Sequence, residues 1–102
     1  MPKDFLFEGA TATGGSDEFD LSGYETNLVQ VYGTNAPDAV VQIETRADVD
    51  ASPWFTVATT TLPAGNGQQW SVPPVGRCRA EIVTYNAGNI FVALERVGGA
   101  RR

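Results

Sequence analysis

Hydrophobic and polar positions alternate along this chain with a period of two. In Thr26 to Gly33 (TNLVQVYG), Leu28, Gln30 and Tyr32 fall on one face and Val29 and Val31 on the other. In the next run Val41, Ile43 and Thr45 lie opposite Gln42, Glu44 and Arg46. A polar turn, Ala47 to Pro53, leads to a run opening on Trp54-Phe55, where Phe55 and Val57 share a face ahead of several threonines. Together these predict a β-hairpin. Ala80, Ile82 and Thr84, then Ile90, Val92 and Leu94, make a second alternating pair of runs, with Phe91 and Ala93 on the other side. The intervening Asn86 to Gly88 reads as the turn of a second hairpin.

The remaining segments fit the same pattern. Phe5 to Ala12 is a strand or extended arm, Ala12 to Asp17 a loop, and Phe19 to Leu21 a short strand. Turns are expected at Asn35 to Asp38, Pro63 to Gly67 and Pro73 to Gly76, with a short strand at Gln69 to Val72. No window longer than a turn shows a helical period. The chain is expected to be all-β: a single antiparallel β-sandwich, jelly-roll-like, of seven to eight short strands. The Cys…Trp…Cys spacing of immunoglobulin domains is missing, because Cys78 is the single cysteine. The expected partition is an N-terminal arm or edge strand (1–18), a β-sandwich (19–97) and a basic tail (98–102).

A length of 102 residues suits one domain, and folding would bury about two-thirds of the unfolded surface. Cys78 rules out an internal disulfide and is expected as a small buried apolar residue. No stretch approaches the ~18 apolar residues of a membrane span, and MPKDFLFEGA lacks the apolar core of a signal peptide. Cytoplasmic synthesis and no membrane partner are therefore expected. Net charge is −5 and the isoelectric point about 4.4, which disfavours nucleic acid as a partner. The charge is uneven: Met1 to Val75 carries −8 and Gly76 to Arg102 carries +3. Solvated strand edges and the Arg101-Arg102 terminus account for this; docking on a surface of mixed charge is the alternative reading.

The absence of histidine removes Ser-His-Asp and Cys-His arrangements and the usual zinc and iron sites. Arg77 and Arg79 flank Cys78, but alternation points them to the opposite face. Asp48 and Asp50 shape a turn without the glycine and closing glutamate of a calcium loop, and Asp17, Glu18, Asp20 and Glu25 read as a solvated cluster. No spacing selects a pair of glycosidase carboxylates. The expectation is a protein that is not an enzyme, with no catalytic residue, cofactor or metal. Trp54 and Trp70 are assigned to the core. Tyr24, Tyr32 and Tyr85 divide between core and surface, and aromatic residues on a sandwich can also stack on sugars.

The segment VQIETRADVDASPWFTVATTTL resembles the strand–turn–strand unit of small β-sandwich domains in phage virion proteins. There a V-x-I-E strand precedes a polar turn and a W-F/T-x-[LV]-A-T strand, matched here by Val41 to Glu44, Asp48 to Ser52 and Trp54 to Thr59. Val72-Pro73, Gly76 to Ile82 and a closing strand at Asn89 to Arg96 match its later part loosely. In length the chain is similar to capsid decoration (cement) proteins. That resemblance implies a structural protein on the capsid exterior, bound to the major capsid protein, often as a homotrimer, with an N-terminal arm across the contact. Pro2 to Thr13 would be the arm, bringing Phe5 and Phe7. Arg96, Arg101 and Arg102 would be contacts at the basic end, and Tyr24 or Tyr32 would lie near the oligomer axis. Tail- or fibre-associated modules and small carbohydrate-binding sandwiches are the alternatives.

Overall fold

The computed structural model describes residues 3–21, 26–47, 53–72 and 76–98. Seven strands run through them: β1 (Lys3–Ala10), β2 (Gly14–Gly15), β3 (Phe19–Asp20), β4 (Thr26–Arg46), β5 (Phe55–Leu62), β6 (Gln68–Val72) and β7 (Arg77–Val97). All pairings are antiparallel. The all-β antiparallel reading is borne out. Two strands, however, are not short: β4 and β7 each span 21 residues.

These two form the spine. The first half of β4 (26–34) pairs with the second half of β7 (89–97), and the second half of β4 (38–46) with the first half of β7 (77–87). β1 and β6 flank the first half-sheet, while β5 and the short β2 and β3 flank the other. The two layers are thus halves of one continuous sheet.

At the junction the ladder jumps from Thr34↔Asn89 to Asp38↔Ala87, leaving Asn35, Ala36 and Pro37 opposite Gly88 alone. Asn35 and Ala36 take left-handed backbone angles, φ 59° and 54°, as an irregular bulge demands. Pro37, which has no N–H to give a ladder, is buried in it. Gly88 (φ +88°) closes the other side, where a Cβ would fall 2.5 Å from Pro37 Cα and 2.8 Å from the Thr34 carbonyl.

The expected hairpin at Asn86 to Gly88 is therefore corrected. Residues 77–85 and 89–97 do not pair with each other but continue as one strand, because β4 supplies ladder partners on both sides of the bend. Asn35 to Asp38 likewise is a bulge within a strand. The hairpin joining β4 to β5 is present, with Thr45 opposite Phe55; Asp48 and Asp50 lie outside the described residues.

Val29 with Val31, Val41 with Ile43, Ala80 with Ile82, and Ile90 with Val92 and Leu94, each set sharing a face in the alternation, join Leu6, Leu21, Leu62, Val72 and Cys78 in one core. Thr45 and Thr84 shared those faces in sequence but lie outside that core, Thr45 half-buried and Thr84 exposed. The smallest dimension is 18 Å, which accommodates two layers about 10 Å apart.

Candidate interaction surface

The outer face of the first half-sheet carries a row of rings across three strands. Tyr32 on β4 is directly opposite Phe91 on β7, and their rings stack with centroids 5.0 Å apart and planes 2° from parallel. Phe5 on β1 meets the other side of Phe91 edge-on, 6.2 Å away at 65°, and is 42% exposed. Strand alternation puts these side chains outside: the neighbours of Phe91 in β7, Ile90 and Val92, are fully buried.

The structure thus brings Phe5 and Tyr32 together through Phe91. It separates Phe7, which packs against the core. Arg96 also lies apart, on the core-side row of β7 paired with the buried Asn27. Its Nη1 donates to the Asp20 carbonyl at 3.2 Å and its guanidinium sits 6.0 Å from the Phe19 ring. Tyr24, Arg101 and Arg102 lie outside the described residues. Phe91 was legible as an outward residue; its role as the central ring needed the register of three strands.

A second cluster holds the entry of β5. Glu44, 8% exposed, accepts a hydrogen bond from Arg79 Nε at 2.7 Å, linking β4 to β7. The Trp54 ring lies beneath both Arg79 (4.2 Å) and Arg46 (5.0 Å), and Arg46 also pairs with Glu18 at 3.3 Å. Expecting Trp54 in the core is therefore corrected. It is a half-buried surface ring held by cation–π contacts, which required two arginines spaced along different strands. Trp70 packs against the core from β6, and Tyr85 does so from β7 while donating its hydroxyl to the Gly88 carbonyl at 2.7 Å.

Cys78 is fully buried, and burial pushes its thiol up to about 12, so almost no thiolate forms near neutrality. Among the described residues no three Cys, Asp or Glu side chains gather as a metal-holding group. Exposed apolar side chains remain at Phe55 (65%), Val57 (48%) and Val83 (45%). None of these was singled out by sequence as a contact, since alternation marks an outward residue without saying what covers it. Among the described residues the surface thus presents exposed rings at Phe5 and Phe55, aliphatic groups and strands with a neighbour on one side only.

Neither a family model nor a curated protein matches the chain in sequence. In three dimensions it is similar to the crystal structure of SPBc2 prophage-derived protein YomS, with a TM-score of 0.73 over 91% of this chain and 88% of that one. The two chains share a fold. At 12% identity the likeness lies in the path of the chain and not in its side chains.

Proposed function

We propose that this protein is a structural component of a phage virion, a decoration (cement) protein that binds the major capsid protein on the head exterior and bridges neighbouring subunits. The observation that carries the reading is the near end-to-end likeness to a prophage-derived protein, joined to the virion-type strand–turn–strand pattern at Val41 to Thr59. Its mechanism is additional buried area between capsid subunits, which opposes their separation when packaged DNA presses outward.

The surface features agree with that role. The exposed Phe5 and the half-buried Tyr32–Phe91 stack beside it form an apolar patch of the kind that anchors protein interfaces. A sugar platform needs free ring faces, whereas Trp54 is covered by two guanidiniums and Tyr32 by Phe91. Capsid docking is accordingly favoured over carbohydrate binding.

Quantitative mass spectrometry of purified particles tests the proposal. Copy numbers near that of the major capsid protein are expected; a handful per particle would move the protein to the tail or portal vertex, and absence would remove the virion role. Deleting the first strand is a poor test of the contact, because β1 pairs with β7 and carries the core residue Leu6. Phe5→Ser spares both, and is expected to weaken capsid binding while the domain stays folded.

A further inference from the structure

Free sheet edges pair with other chains unless charge, proline, irregularity or brevity prevents it. β1 is protected: it carries the exposed Glu8, and its register shifts twice against β7. β2 and β3 are two residues each, and β6 is five. β5 differs. It is eight residues long, FTVATTTL, without a charge or a proline, and β4 is its one strand neighbour among the described residues. Its single register shift falls at Val57, the one residue left without a partner, between Thr56↔Glu44 and Ala58↔Ile43; Phe55–Thr56 before it and Ala58–Leu62 after it stay paired with β4. Phe55 and Val57 stand exposed at its entry.

We propose that the β5 edge docks a second copy of this chain, strand against like strand, antiparallel about a two-fold axis. Antiparallel edges are self-complementary, since the outward N–H and C=O groups of one strand meet their counterparts on an identical strand run in reverse. That self-complementarity selects the occupant, and the lack of charge on β5 permits it. Each copy carries −5, so two copies approach most readily across a contact with no charge of its own, and Phe55–Leu62 has none. A partner recognised through opposite charge would find nothing on β5 to read. Two-fold pairing joins the β5 layers of two copies into one extended sheet and covers Phe55 and Val57. This adds to the capsid-binding reading and is tested apart from it, on the isolated protein.

Sedimentation velocity of the full chain across micromolar concentrations is expected to show a dimer. Val57→Lys places at this edge the charge that other edges use for protection, and should weaken the dimer by about tenfold or more. Val83→Lys, an equally exposed site on β7, should leave it unchanged. Added salt should tighten the dimer, because it screens repulsion between like-charged copies. Circular dichroism verifies folding; should V57K fail that check, T59K at another exposed β5 position takes its place. A monomer at every concentration, a trimer, a dimer weakened by salt, or lysine variants that dimerise as tightly as the parent would each overturn the proposal.

Discussion

Tyr32 and Phe91 face each other across the β4–β7 ladder with rings 5.0 Å apart and 2° from parallel. The stack lies two residues from the bulge at Thr34, where the sheet turns from one layer into the other. Phe5 touches the same ring of Phe91 from β1. One side chain therefore ties three strands together on the outside, at the place where the ladder beneath is about to be interrupted.

Removing Phe91 should cost more stability than removing either neighbour, because Phe91→Ala ends two ring contacts and Tyr32→Ala or Phe5→Ala ends one. A double-mutant cycle on Tyr32 and Phe91, read by urea denaturation, is expected to give a coupling of about 0.5–1.5 kcal/mol. The Phe5–Phe91 coupling should be smaller, since the Phe5 ring remains in contact with water. A coupling of zero for Tyr32 and Phe91 would mean that their stacking contributes nothing beyond area.

The bend makes its own demand on residue 88. Gly88→Ala must hold an L side chain at φ +88° and place its Cβ against Pro37 and the Thr34 carbonyl, both backbone-bound neighbours. A loss of about 2 kcal/mol or more is expected, against less than about 0.5 kcal/mol for Asn86→Ala on the exposed side of the same segment. Thermal or chemical unfolding of the two variants makes the comparison.

The period-two pattern revealed the strands and that Val29/Val31, Val41/Ile43 and Ile90/Val92/Leu94 each share a face, because alternation is a local property; that these faces point inward came from the packing of the two half-sheets. It did not reveal that 77–85 and 89–97 are one strand. Asn86-Ala87-Gly88 has the composition of a hairpin turn, and only the ladder offered by β4 on both sides keeps the chain going forward. Trp54 was misplaced for the same reason: its two arginine partners, Arg46 and Arg79, belong to different strands. Phe5 was legible as a surface residue, while its contact with Phe91 depended on a register that shifts within β1.

Cys78 should give the protein a distinctive alkaline limit. Its thiol is pushed up to about 12 by burial, from an ordinary value of 9.0. Below 9 both folded and unfolded chains hold the proton, so the stability linked to burying a neutral thiol is fully present. As pH rises from 9 towards 12 the unfolded chain releases the proton while the folded one keeps it, and stability falls by about 1.4 kcal/mol per pH unit. Cys78→Val, which cannot ionise, should lack this part of the decline. Native protein at pH 8 should also resist thiol reagents that label it rapidly in denaturant.

Glu44 and Arg79 offer the sharpest test of the cluster around Trp54. Arg79 both donates to the buried carboxylate at 2.7 Å and covers the indole at 4.2 Å. Arg79→Ala leaves Glu44 without that donor in a site where water reaches it poorly, and a loss of about 2–3 kcal/mol is expected. Arg79→Lys keeps the charge but not the planar group that stacks on the ring, so it should recover part of the stability and little of the tryptophan environment. Near-ultraviolet circular dichroism together with urea denaturation separates the two effects. Full recovery of both signals by lysine would show that a point charge suffices and that the guanidinium–indole stack is incidental.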